Sequence, residues 1–201
     1  MALPHETNTS AITSARTKEG RNARPSYSSP SLSYSCSVIR DARQEDFVRV
    51  AAITNHYIET SSIHFGYEPV SVDQLVTQWS GTDRYPWLVA EDAGRVVGYA
   101  RAGSWRARAA YQWTAELGLY VEAGHHRRGF GRRLYAALLE ALAGRGFRSA
   151  IAGITLPNDA SRAFHEAFDF VSVGTVREAG YKRGAWHDLE FFQRRLGGGP
   201  A

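Results

Sequence analysis

The residues from His126 to Gly131 read His-Arg-Arg-Gly-Phe-Gly and stand immediately before a helix-forming stretch. Glycine lets a backbone approach a ligand closely, and the unpaired N–H groups of a first helical turn attract an anion. Arg127, Arg128, Arg132 and Arg133 add four cationic side chains with no acid among them, which suits a pyrophosphate or a terminal phosphate. A solvated, arginine-rich helix start is the plainer reading of the same residues, because short glycine patterns are common. A dinucleotide-binding Rossmann turn fits poorly: a third glycine at the required spacing is missing, and the neighbouring strands read as antiparallel. Upstream, Glu116 is the only charged residue between Tyr111 and Val121. A carboxylate buried in such a stretch has a raised pKa and can act as a general base. Alternation also puts Thr114, Glu116 and Gly118 on one strand face, so a solvent-facing position stays open for Glu116. Gly118 marks a bulge, a close backbone approach or simple packing beside a bulky aromatic.

The elements that must position these residues follow from periodicity. A short strand at Val38 to Arg40 precedes Phe47, Val50, Ile53 and Tyr57, whose spacing predicts a helix over 44–59. A second helix is expected over 72–79. Residues 84–91 and 95–102 read as a hairpin turning at Asp92-Ala93-Gly94. Residues 113–121 form a strand running into the glycine turn. Beyond it, Leu134, Leu138 and Leu142 with Tyr135 and Leu139 make the apolar face of a helix closed by Gly144. A strand over 149–156, a short helix over 159–168 and a closing antiparallel pair, 170–178 with 186–194, complete the chain. The order β, α, α, β, β, β, α, β, α, β, β predicts an α+β domain on a mixed sheet.

Composition excludes other classes. The 201 residues are 43% hydrophobic and 22% charged, enough apolar side chain for one core in one domain. No apolar run is long enough to span a bilayer, and the first thirty residues lack the apolar core of a secretory signal, so a cytoplasmic location is expected. The net charge is +4, and half of that excess lies in the first 35 residues. The balanced remainder does not suit a protein that neutralises phosphate backbone, which argues against a nucleic-acid partner. Residues 1–36 contain twelve Ser or Thr and little apolar periodicity, the composition of a disordered extension. Residues 197–201 read as a flexible tail. Cys36 is the only cysteine, which excludes an intrachain disulfide and a cysteine-based metal site.

The turn resembles the Gln/Arg-x-x-Gly-x-Gly/Ala signature of the GNAT acyl-CoA N-acyltransferases, with His126 in the first position. Further stretches resemble that family: Asn55 to Ser61, Asp83 to Glu91, Leu156-Pro157-Asn158-Asp159, Ala179 to Lys182 and Trp186-His187-Asp188. The similarity runs from Val38 to Leu196, making 37–196 the acetyltransferase domain, and is closest to the branch that acetylates phosphinothricin. Asp169 departs from the family's usual Gly; Asp tolerates the left-handed conformation that position needs. The resemblance implies the GNAT fold, a mixed and mostly antiparallel sheet splayed at its middle with helices on both faces. It also implies acetyl-CoA as co-substrate, no metal, a small amino-acid substrate and a homodimer.

Site residues follow from the same resemblance. Glu116 is expected as general base. Leu119, Tyr120 and Val121 would offer backbone groups to the pantetheine arm, with N–H groups near Tyr120 and Val121 steadying the oxyanion. His126, Arg127, Arg128, Gly129, Phe130, Gly131 and Arg132 would hold the phosphates. Asn158 would cap the short helix and, with Ser161, touch the coenzyme. His165 is expected to reprotonate the leaving thiolate or relay a proton, unless it is a satisfied core histidine. Phe65, Arg106, Arg108 and Tyr111 would bind the substrate's anionic groups and wall its pocket, some of them donated by a partner subunit. The expected activity is N-acetylation of phosphinothricin or a similar analogue by direct attack. Methionine sulfoximine or sulfone is the alternative substrate, and a non-catalytic acyl-CoA sensor is the alternative of another class.

Overall fold

A computed structural model describes residues 37–81 and 83–199. The chain divides into Met1–Tyr34 and Ser35–Ala201, and all described residues belong to the second unit. The expected extension over 1–36 therefore lies outside the described residues.

In chain order the elements are β1 (Val38–Asp41), α1 (Phe47–Thr60), α2 (Val72–Ser80), β2 (Trp87–Asp92), β3 (Arg95–Ser104), β4 (Thr114–Val121), α3 (Phe130–Gly144), β5 (Ser149–Thr155), α4 (Asp159–Glu166), β6 (Val171–Lys182) and β7 (Ala185–Arg195). Short 3-10 turns at Gln44–Asp46, Ala109–Tyr111 and Ala123–His125 join some of them. One seven-stranded sheet has the order β1-β2-β3-β4-β5-β7-β6. Only β4 and β5 pair in parallel; all other neighbours are antiparallel. This is the expected α+β arrangement.

Two apolar layers hold the sheet. On one face α3 lays Leu134, Leu138 and Leu142 against Ala100, Ala102, Ala115, Ala150 and Ala152. The alanines leave room for the helix to sit close to the strands. On the other face α1 and α2 bring Phe47, Val50, Ile53 and Leu75 onto Trp87, Val89 and Tyr99. Strand β2 therefore alternates between the cores, Trp87 and Val89 on one side and Leu88 and Ala90 on the other. Ser71 caps α2 reciprocally: its hydroxyl accepts from the Gln74 amide at 3.1 Å, and the Gln74 side chain accepts from the Ser71 amide at 2.8 Å. Asp46 joins β1 to α1 from a buried position, accepting from Arg40 at 2.7 and 2.9 Å and from the Arg43 amide at 2.7 Å. These donors hold its carboxyl below the usual range, against the opposing effect of burial.

Several boundaries differ from expectation. Helix α1 begins at Phe47 rather than 44, because a 3-10 turn occupies Gln44–Asp46. Strand β2 begins at Trp87, after Pro86. The closing hairpin is longer than its alternation suggests: β6 continues to Lys182, with register shifts between Ser172 and Gly174 and between Val176 and Gly180. Asp169 has φ +58, the left-handed conformation anticipated for it. Gly197 and Gly198, in the expected tail, accept hydrogen bonds from Arg148 at 3.3 and 3.1 Å.

Leu138 is fully buried at the centre of the α3 contact. Leu138→Ala is expected to destabilise the domain by about 2–5 kcal/mol, read from the urea unfolding midpoint.

Candidate acetyl-transfer site

Strands β4 and β5 are paired only from Thr114–Ser149 to Glu116–Ile151 and diverge beyond that point. The Glu122 amide donates to the Val97 carbonyl at 2.8 Å, so the alternating backbone groups of Tyr120 point to β3 and those of Leu119 and Val121 point into the gap. A cleft of about 740 Å³ opens there, lined by Leu117 to Val121 on one side and Ala152 to Thr155 on the other. Gly129, Gly131, Asn158, Ser161 and Phe164 complete its walls. Backbone groups that cannot reach a neighbouring strand need another partner, and an amide-bearing pantetheine arm supplies one. The oxyanion donor expected at Tyr120 is committed to the β3 ladder instead; Val121 and Leu119 carry the amides that face the gap.

The turn after β4 curls into a cradle. Arg127 has φ +58 and Gly129 φ +84, a left-handed entry to α3 that glycine adopts without strain. Arg127 and Arg132 line the cleft, but two other expected contacts do not. Arg128 donates to Asp92 at 2.8 Å, and Phe130 is buried in the core beneath its guanidinium. Arg133 likewise turns away, donating to the Ser37 carbonyl at 3.1 Å. Two of the four arginines thus remain for phosphate. The His126 Nε2 lies 2.8 Å from both the Tyr57 hydroxyl and the Val121 carbonyl. The Tyr57 hydroxyl also donates to that carbonyl, fastening α1 to the turn.

Glu116 stands two residues before Gly118 on the same strand face, exposed rather than buried. Desolvation by its surroundings still raises its pKa, while Arg101 and, less strongly, Arg106 lower it. Gly118 forms no bulge, since the β3–β4 register is unbroken. It leaves open the space over which Arg101 lies: an added Cβ would stand 3.5 Å from Arg101 Cγ. Arg101, absent from the sequence-based site, faces Gly118 directly across the ladder, and one charge among 22 arginines carried no local signal.

The residues expected around the acceptor are only partly assembled. Phe65 packs so closely on β6 that a Cβ at Gly180 would meet its ring at 2.7 Å. Its loop is anchored by Lys182, a buried ammonium donating to the Ile58 and His64 carbonyls at 2.6 and 2.7 Å. Arg106 lies over the Trp105 ring at 5.0 Å and borders a smaller cavity of about 330 Å³ with Ile151, Val176 and Phe191. Arg108 and Tyr111 lie on the exposed 3-10 turn between β3 and β4, outside both cavities.

Helix α4 presents Asn158, whose side chain caps it by accepting the Ser161 amide at 3.1 Å. His165 Nδ1 donates to the Ser161 carbonyl at 2.7 Å, and its ring is packed edge-on against Tyr135, Phe164 and Phe170. Burial lowers its pKa, and the bond to a carbonyl places the proton of the neutral ring on Nδ1. That tautomer offers Nε2 as a proton acceptor, which suits the proton-relay alternative better than reprotonation of the thiolate; the ring is packed as a core histidine and also lines the cleft.

The Acetyltransferase (GNAT) family model matches residues 39–170. The chain belongs to the GNAT acetyltransferase family. It is 48% identical over 157 residues, covering 78% of this chain and 86% of the relative, to a phosphinothricin N-acetyltransferase of Streptomyces viridochromogenes. It is also 31% identical, over 79% of this chain and 94% of the relative, to an L-methionine sulfoximine/L-methionine sulfone acetyltransferase of Salmonella typhimurium. Among solved structures, a GNAT phosphinothricin acetyltransferase from Sinorhizobium meliloti in complex with AcCoA aligns with TM-score 0.77 and 31% identity, covering 80% of this chain and 89% of that one. This GNAT protein is an N-acetyltransferase that uses acetyl-CoA, and its split strand pair, gap-facing amides and glycine cradle fit that donor. No group of three or more His, Cys, Asp or Glu side chains placed to hold a metal occurs among the described residues, and none of the described helices is long and apolar enough to cross a membrane.

His64 and His165 both have pKa values lowered by burial from 6.5. Their neutral forms therefore contribute stability that is complete above pH 6.5 and is lost as pH falls towards the depressed native values. The denaturation midpoint of the wild type should drop between pH 7.5 and 5.5, on the order of a few degrees, and His165→Gln should flatten part of that drop.

Proposed function

We propose that this GNAT enzyme acetylates the α-amino group of phosphinothricin or a similar amino-acid analogue, with Glu116 as general base. The observation that carries the reading is the position of Glu116 at the last β4 residue still paired with β5, directly before Leu117 and Gly118 of the cleft wall, with two arginines near it. An α-amino group is protonated near neutral pH, so a base must take its proton before it can attack. Glu116, its pKa raised by desolvation against the opposing pull of Arg101 and Arg106, accepts that proton directly or through water. The amine attacks the thioester carbon, and the gap-facing amide of Val121 or Leu119 stabilises the oxygen that gains charge. Collapse forms the amide and expels the thiol; no acyl-enzyme is involved. Arg127 and Arg132, with the amides after Gly129, hold the phosphates of the donor. Phe65 and Arg106 flank the acceptor, while Arg108 and Tyr111 reach an acceptor across a homodimer contact.

The location proposed is cytoplasmic, and the homodimer is supported by the unpaired outer edge of β6, where Val171, Val173 and Val176 are exposed. Methionine sulfone and sulfoximine form a second reading. It is supported by the Salmonella relative and by the cavity beside Arg106, whose other walls, Trp105, Ile151, Val176 and Phe191, are apolar and suit an uncharged head group.

The test is release of free thiol from acetyl-CoA across phosphinothricin, methionine sulfone, methionine sulfoximine and lysine. The first three are expected to be acetylated, and lysine poorly. Glu116→Gln should lower turnover by about 10²-fold or more and leave the dissociation constant for acetyl-CoA within about threefold. Unchanged turnover at saturating substrate would remove Glu116 from the role.

A further inference from the structure

We infer that Arg101 is the anchor for the acceptor's α-carboxylate, and that this enzyme therefore selects zwitterionic α-amino acids over amines lacking that carboxylate. The inference rests on the proposed role of Glu116.

Arg101 lies on β3 directly opposite Gly118, and Glu116 is the diagonal neighbour on the same face. Diagonal positions on paired strands are about 7–8 Å apart, a span that a long arginine side chain covers. The Arg101 side chain crosses β4 at Gly118, with Nε 3.6 Å from where a Cβ there would stand. Its guanidinium is half-buried and rests over the Trp87 indole at 5.3 Å. Trp87 supplies a flat apolar support but no acceptor atom. Among the described residues Arg101 has no salt bridge and no hydrogen bond, whereas Arg40, Arg49 and Arg128 are each tied to a carboxylate. A planar guanidinium held rigidly beside a base, its donor fork unspent, is suited to bidentate capture of a carboxylate.

The geometry of an α-amino acid then selects which anion goes there. The amino nitrogen and the carboxylate are attached to the same carbon, so a nitrogen delivered to Glu116 brings its carboxylate to the cation nearest that base. Arg101 acts on Glu116 more strongly than Arg106 does. The substituent at the far end of the side chain is directed towards the separate cavity beside Arg106. Binding also adjusts the base: a carboxylate on Arg101 offsets the positive charge that makes Glu116 more acidic, and so strengthens it as a proton acceptor once the substrate is seated.

The experiment compares kcat/KM for methionine sulfone and phosphinothricin with that for their α-carboxamides, in the wild type, Arg101→Met, Arg101→Lys and Gly118→Val. Melting temperature and acetyl-CoA affinity verify that each variant is folded. In the wild type each acid should exceed its amide by about 10²-fold. Arg101→Met should lose about 10²-fold on both acids, mainly in KM, and stay within about threefold on the amides. Arg101→Lys should lose about tenfold on the acids, since it retains charge without the fork. Gly118→Val, which displaces the side chain without deleting it, should also reduce the acid-to-amide ratio, and supplies the test if Arg101→Met does not fold.

An acid-to-amide ratio that survives these substitutions, or equal losses on acids and amides, overturns the inference. A loss on phosphinothricin that persists in its α-carboxamide means Arg101 grips the phosphinate, and also overturns it. In each of these cases the wild type still acetylates amino acids, so the proposed function stands. A wild type that acetylates no acceptor overturns the proposed function and this inference together.

Discussion

A parallel strand pair that stops after three residues governs the functional half of the molecule. Backbone amides and carbonyls inside a protein must find partners, and β4 beyond Glu116 has lost its neighbour on one side. The sheet tolerates this because both flanks are secured: β3 pairs with β4 from Ala115 to Val121, and β7 pairs with the whole of β5. Helix α3 bridges the underside of the split with its leucine face. The result is a rigid slot whose polar groups are oriented before any ligand arrives, which lowers the reorganisation needed to bind an extended amide-containing arm.

Electrostatics divide the slot from the chamber beside it. The glycine turn brings two cleft-lining arginines, Arg127 and Arg132, to a helix start, while Arg128 and Arg133 are spent on Asp92 and on the Ser37 carbonyl. Glu122 performs a similar neutralising task below the turn, accepting from Arg49 at 2.8 Å and Arg95 at 2.6 Å. Within the turn, the cationic side chains left at the cleft are thereby reduced to Arg127 and Arg132. At the end of the paired stretch, Glu116 is held between desolvation, which favours its neutral form, and Arg101, which favours its ionised one.

How much of this was legible in the sequence depended on whether a feature is local. Helix α3 was readable because Leu134, Leu138 and Leu142 recur at its period, and the left-handed Asp169 because a single residue's tolerance decides it. The hairpin after Glu178 was not, since Ala179-Gly180 has no alternation and its pairing is dictated by β7. The turn's glycines were found correctly, but which arginine points where is decided by Asp92, 36 residues away. Arg101 shows the limit most plainly. Its relation to Glu116 exists only once the register of β3 on β4 is known, and alternation within either strand alone says nothing of it.

Helix α1 touches both halves of the chemistry. Near its end Tyr57 is fastened to the Val121 carbonyl and to His126, and one turn later the chain enters the loop gripped by Lys182 that carries Phe65. The glycine turn and the Phe65 loop thus hang from the same last turns of one helix. A change that shifts the last turns of α1 therefore displaces the glycine turn and the Phe65 loop together, and neither can be repositioned without the other.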